Sequence, residues 1–250
     1  MSGHSKWSKI KHQKASTDKT RGLLFTKITS AIILSVKESG GNTDPDSNFK
    51  LRLAIEKAKS INMPKENIER AIERGKGTGT GANLEHYIYE VFGPKGIGIL
   101  VEVASDNKQR TVALVKNVLD RHGGILAATG AVSYMFDLVG LISIQKKDRL
   151  LDDVMALVVD AGAIDIEDTK ETFDVYTKPA DLHRIKEEIE KNHLTVNSYE
   201  LFYRPKLSVP ITDSSTASQI LKLLSSLEEL EEVQRVSANF DIPDEYINDH

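Results

Sequence analysis

The 250-residue chain contains no cysteine, and its only tryptophan is Trp7. Without cysteine, disulfides, thiolate metal sites and cysteine nucleophiles are excluded together, which suits a reducing compartment. Long apolar runs are missing as well. The longest near-continuous stretch, Ala31 to Val36, falls far short of the roughly 18 residues a membrane span needs, so no membrane partner is expected. The basic N-terminus has no apolar core or small-residue cleavage site behind it, and nothing resembling a presequence precedes Gly3. Secretion and a mitochondrial address are therefore disfavoured, and the expected location is the cytoplasm. Acid is scarce at one end of the chain, where Asp18 is the only carboxylate through residue 37.

Against that single acid stand Lys6, Lys9, Lys11, Lys14, Lys19, Arg21, Lys27 and Lys37, a net charge of +7. The whole chain carries −4, so residues 38–250 carry −11. A basic arm on an acidic body holds a polyanion without being coated by it, because cations that neutralise phosphates release counterions whatever the base sequence. The bland alternative is a solvated tail. The remainder, 40% hydrophobic and 28% charged, is ordinary globular composition, and the length allows roughly one to three domains.

Residues 1–16 have little to pack and read as an arm. From about Thr20, apolar residues at Leu24, Ile28, Ala31 and Ile32 recur at helical spacing until Gly40-Gly41. A second helix is predicted from Asp46 or Ser47, as caps, to Ile61. A third has Pro64 at its first position, Ile68, Ala71 and Ile72 as its stripe, and Gly75 as its stop. The all-helical domain thus spans 17–75, and the glycine-rich 76–82 is a linker. Beyond it the period becomes alternating. A hairpin is predicted around Gly93-Pro94-Lys95-Gly96, then a helix from Thr111 to His122 stopped by Gly123-Gly124. This β-β-α half is completed from the far end by a strand at 206–210, a helix at 216–227 and a strand at 233–240. Between them, strands at 132–137, 141–145, 163–168, 171–177 and 196–202, with helices at 148–161 and 180–192, form a complete set. The expected fold class is α+β multidomain: a three-helix domain, then two α+β domains of ferredoxin-like type, the third (132–204) inserted into the second (83–131 plus 205–243).

Enzymatic signatures are absent. No two of the seven histidines have metal-ligand spacing, so no metal is expected. The stretch Gly75 to Gly81 follows a helix and lacks the Gly-Lys-Ser/Thr of a phosphate loop. There is no nucleophile elbow, and Asp152-Asp153 and Glu187-Glu188 sit on polar helix faces. A non-enzyme without cofactors is expected.

Nucleic-acid contact is therefore assigned to cations. In the arm, Lys6, Lys9, Lys11, His12 and Lys14 surround Trp7, which either stacks on a base or anchors the arm to the helical domain. Lys19, Arg21 and Lys27 follow. Lys65, Arg70 and Arg74 form a second group, diluted by Glu66, Glu69 and Glu73. Arg110 closes a polar loop, Asp106 to Thr111, that caps a helix and reaches toward a ligand.

Gly3-His4-Ser5-Lys6-Trp7 with Ile10-Lys11-His12, then Arg21-Gly22 with Phe25-Thr26-Lys27, resembles the opening of the YebC/PmpR family. Asn62-Met63-Pro64-Lys65 with Asn67 to Ile72 is similar to that family's second signature. Leu51 to Ile55, Val132 to Phe136 and Asn239 to Pro243 extend the resemblance nearly end to end. It implies a helical domain followed by two α+β domains around a cleft. It also implies nucleic-acid binding, as a promoter-binding transcriptional regulator or, as in the mitochondrial translational activator of cytochrome c oxidase, a ribosome-associated factor. Three places depart from the family pattern: Lys95 stands where a glycine is common, Asn107-Lys108-Gln109-Arg110 varies the usual Asn-Arg-Asn-Arg, and Glu200 to Lys206 diverges. A protein–protein adaptor working through the acidic α+β domains is the reading from another class. A monomer is the expected state. If Lys6, Lys9, Lys11, Lys14, Lys19 and Arg21 all meet duplex phosphates, the log–log salt dependence of binding has a slope of about −5. Titrations at several salt concentrations check this, and a near-zero slope rejects phosphate binding by the arm.

Overall fold

A computed structural model of the chain describes residues 18–77, 83–146 and 149–247. In chain order, helices α1 (Asp18–Glu38), α2 (Phe49–Ser60) and α3 (Lys65–Gly75) come first. Strands β1 (Glu85–Phe92) and β2 (Gly98–Ser105), helix α4 (Lys108–His122) and strand β3 (Ile125–Leu126) follow. Then come β4 (Phe136–Gln145), α5 (Leu151–Asp160), β5 (Asp165–Asp168), β6 (Thr172–Thr177), α6 (Leu182–Lys191) and β7 (Val196–Pro205). The described chain ends with β8 (Val209–Pro210), α7 (Ser214–Glu228), β9 (Val233–Ala238), β10 (Phe240–Asp241) and α8 (Asp244–Ile247). It divides into two compact units, Met135–Leu207 and the segments on either side of it.

The first three helices share a core of Ile28, Ile32 and Val36 from α1, Leu51 and Ala58 from α2, and Ile68 from α3. Each fully buried Ile or Leu contributes about 1.5–3 kcal/mol. The cap of α2 is Asn48, not Asp46 or Ser47. Its Oδ1 accepts the Leu51 amide at 3.1 Å, while Nδ2 donates toward the Ser35 carbonyl, Ser39 Oγ and the Asn42 carbonyl at 2.9–3.0 Å. The Asn48 amide offers an acceptor oxygen and a two-proton donor nitrogen together, so it caps α2 with one and ties that start to the end of α1 with the other. Pro64 lies one residue outside α3, at its N-cap. Gly75 has a different role from the expected stop. It is the last helical residue, and a Cβ there would lie 2.6 Å from the Val36 Cβ, so glycine permits the close approach of α3 to α1.

In the larger unit the sheet order is β3-β1-β2-β9, antiparallel throughout. Helices α4 and α7 bury Val115, Leu119, Ile220 and Leu224 together with Val101 and Val236 of the sheet. Lys95, in the β1–β2 turn, has φ +59°, the left-handed conformation in which glycine is unstrained. Gly123 closes α4 at φ +72°. The expected strand at 206–210 is corrected. Only Val209–Pro210 is extended, and it pairs in parallel with β10, outside the main sheet. Proline has no amide to offer a central ladder. The fourth strand is β3, brought to the β1 edge by the tight reversal at Gly123-Gly124.

The unit Met135–Leu207 runs β-α-β-β-α-β with sheet order β5-β6-β4-β7, again antiparallel, the ferredoxin-like arrangement. Its sheet is continuous in sequence, whereas the sheet of the larger unit takes strands from both sides of it; the third domain is thus inserted into the second. The strands expected at 132–137 and 141–145 are one strand, β4, preceded by a short 3-10 turn at Ser133–Met135. Gly140, which falls between those two expected strands, lies in mid-strand. A Cβ there would collide with Thr177 Oγ1 and lie 2.9 Å from the Leu182 Cβ, so glycine admits α6 onto the sheet. Gly140→Ala therefore lowers unfolding stability by about 1–3 kcal/mol through overpacking, as denaturant titration measures; a neutral substitution rejects this packing account.

Candidate nucleic-acid interface

The arm residues Lys6, Trp7, Lys9, Lys11, His12 and Lys14 lie outside the described residues, as does the side chain of Lys19 on the first turn of α1. Arg21 is exposed one turn before Phe25, with its guanidinium carbon 5.6 Å from that ring's centroid. Phe25 in turn packs on the three-helix core, so Arg21 is a cation seated on a fixed aromatic face. Lys27 is half-buried and its ammonium donates to the Glu228 carbonyl at the C-terminus of α7. A cation there meets the negative end of the helix dipole, which makes Lys27 a strut between α1 and α7.

On α3 the charges alternate in sign. Lys65 pairs with Glu69 at 3.4 Å, and Lys76 with Glu73 at 2.6 Å. Arg70 donates to the Glu66 carbonyl at 3.2 Å and to Asn67 Oδ1 at 2.7 Å. Glu66, Glu69, Arg70, Glu73 and Arg74 line one shallow surface groove. Exposed ion pairs of this kind contribute about 0–1 kcal/mol, so they open readily when a phosphate competes. Sequence reasoning missed Lys57 and Lys59, both exposed on the last turn of α2. The stripe Leu51, Ala54, Ala58 carried the signal, because it leaves 57 and 59 off the buried face.

Arg110 stands at the start of α4, where the Asn107 side chain accepts its amide at 3.0 Å. Its guanidinium meets Asp106 at 2.7 Å and Glu232 at 3.5 Å, two carboxylates that offset its charge. Beside it the Lys108 ammonium lies 4.9 Å from the Tyr87 ring centroid, and the Tyr89 hydroxyl reaches the Lys108 carbonyl at 3.4 Å. The Tyr87 hydroxyl donates to Glu85, and that carboxylate raises its pKa. The structure thus groups Lys65, Arg70 and Arg74 on one helix, and places Arg21 and Arg110 on other elements. Among the described residues no group of histidine and carboxylate side chains is arranged to hold a metal ion, and no helix is long and apolar enough to cross a membrane.

Glu90 of β1 shapes this region from below. Its carboxylate accepts the amides of Gly130, Val132 and Ser133 at 2.6, 2.5 and 2.8 Å. Burial alone pushes this carboxyl up, but those amides and the Ser133 hydroxyl outweigh it and hold the pKa below the usual range. A depressed folded-state pKa stabilises the fold above the unfolded-state value, and that contribution is lost as pH falls through the folded value. Glu90→Gln therefore destabilises the protein at neutral pH by about 1–3 kcal/mol, and the difference from wild type shrinks in acid below about pH 4. Denaturant titrations at several pH values check this, and a pH-independent difference rejects it.

Residues 5–78 match the family described as TACO1/YebC protein N-terminal domain, and residues 84–240 that described as TACO1/YebC second and third domain. A "Probable transcriptional regulatory protein" of Thermoanaerobacter pseudethanolicus is 46% identical over 246 residues, covering 98% of this chain and 99% of its own. A protein of the same description from Aquifex aeolicus is 41% identical over 247 residues, covering 99% and 98%. The crystal structure of a conserved hypothetical protein from Aquifex aeolicus is similar with a TM-score of 0.83 at 40% identity, covering 92% of this chain and 94% of that one.

Proposed function

The chain belongs to the TACO1/YebC family, and from that premise we propose that it is a non-enzymatic, nucleic-acid-binding regulator of gene expression acting in the cytoplasm. The first reading is a DNA-binding transcriptional regulator, in keeping with the descriptions of its relatives. The observation that carries it is charge segregation: residues 1–77 sum to +8 and the rest of the chain to −12. Phosphates are drawn to the arm and the helical domain and repelled from the remainder. On this reading the arm (1–16) and helical domain (17–75) bind nucleic acid, with Lys57 and Lys59 beside Arg21, Lys65, Arg70 and Arg74. The acidic α+β domains are left for a protein partner.

A second reading, a ribosome-associated translation factor, is favoured by one observation. The outer face of α3 alternates acid and base, so it is not the uniformly basic helix that a major groove receives. Basic residues spread over an arm and helix ends suit the irregular surface of folded RNA. Both readings share the phosphate contacts. Replacing Lys57 and Lys59 by glutamine weakens binding and lowers the magnitude of the salt slope by about 2. Ultraviolet crosslinking in living cells, with DNA and RNA sequenced from one sample, separates the readings. Promoter fragments support the transcriptional one, and ribosomal or transfer RNA the translational one. Recovery of neither, with activity surviving replacement of the arm cations by glutamine, overturns both in favour of an adaptor.

A further inference from the structure

Among the described residues, strand β1 is paired along its whole length on one side only. Toward β2 every residue from Glu85 to Phe92 has a partner. Toward β3 the pairing covers Val91 and Phe92, followed by the Ala127 amide donating to the Glu90 carbonyl at 2.8 Å. In an antiparallel ladder the N–H and C=O of one residue point to the same side, and successive residues alternate. Since the Glu90 carbonyl points toward β3, the backbone groups of His86 and Ile88 point that way too, past the end of β3. There the partner chain is pulled aside, because the Glu90 carboxylate holds Gly130, Val132 and Ser133 by their amides.

The free stretch lacks the usual protection of a sheet edge. Lysine, proline or a bulge normally blocks such an edge, yet here the residues between His86 and Glu90 are Tyr87, Ile88 and Tyr89. Ile88 is 38% exposed. A hollow of about 290 Å³ runs along the edge, walled by Tyr87, Tyr89, Leu126 and Ala128, with Lys108 as its cation. Carboxylates flank it: Glu85 holds the Tyr87 hydroxyl and Glu90 lies beneath, which disfavours a phosphodiester chain.

We propose that the free edge of β1 at His86 and Ile88 receives an extended segment of a partner protein as an added antiparallel strand, continuing the pairing that β3 begins. The backbone of that segment satisfies the outward N–H and C=O groups. One apolar side chain fills the hollow, and a neighbouring carboxylate meets Lys108. This site is independent of the nucleic-acid reading, since none of the arm or helical-domain cations takes part in it.

The test pans a phage-displayed library of peptides about 12 residues long against the full chain, then measures the best binder as a synthetic labelled peptide by fluorescence anisotropy. The expected binders alternate apolar and polar residues and carry an aspartate or glutamate. Ile88→Pro removes only an outward amide and so keeps the β1–β2 ladder; it weakens binding by at least about tenfold. Ala128→Trp fills the hollow from an exposed position and has a similar effect, whereas Ile88→Thr, which keeps both backbone groups, stays within about threefold. Unchanged thermal unfolding shows that each variant is folded, and the Ala128→Trp result stands if Ile88→Pro fails to fold. The proposal is overturned if no peptide is enriched over an unrelated protein, or if binding survives both blocking substitutions. It is also overturned if a single-stranded oligonucleotide displaces the peptide, or if the free protein is a dimer that Ile88→Pro dissociates, which assigns the edge to a second copy.

Discussion

Five consecutive residues of α1, Ile32 to Val36, are buried, and that constraint organises the larger unit. A helix that packs on one face buries residues three or four apart; a continuous run is buried only when it is covered on several sides. Helices α2 and α3 cover one side of α1, and strands β2 and β9 of the sheet touch another. Lys27 and Lys37 reinforce this second contact by donating to the carbonyls of Glu228 and Leu84. The bundle and the sheet are thus built on one helix.

Glycine serves close packing here as much as chain reversal. At Gly75 and Gly140 a single methyl group would meet a neighbouring side chain below normal contact distance, so each marks a crossing of helix on helix or helix on strand. In the linear pattern Gly75 reads as a helix stop, and Gly140 falls between two expected strands. Lys95 is the converse case, a side chain held at a left-handed turn position where glycine is unstrained. Backbone conformation and steric room are separate reasons for glycine, and only the second depends on residues distant in the chain.

Charge follows a similar division. The excess of cations in residues 1–77 is a property of composition, while the fate of each cation depends on its neighbours. Lys27 is committed to a helix end, Arg110 to Asp106 and Glu232, Lys65 to Glu69, and Arg70 to the Glu66 carbonyl and the Asn67 side chain. Lys57 and Lys59 remain exposed on a helix end. Glu90, unremarked as one charge in an alternating strand, is instead the clasp that shapes the loop after β3 and frees the edge of β1.

The sequence by itself determined the helical opening, the switch to alternating strands, the α+β class with one domain inserted in another, and the segregation of charge. These follow from periodicity, turn residues and composition, which act over a few neighbouring positions. Only the tertiary structure decided that Asn48 caps α2, that β3 rather than 206–210 completes the first sheet, and that Gly140 lies within a strand. It also decided which cations are already engaged and which edge of β1 is left unpaired among the described residues. Each of those outcomes depends on atoms far apart in the chain meeting at a few ångströms, and linear spacing carries no record of such meetings.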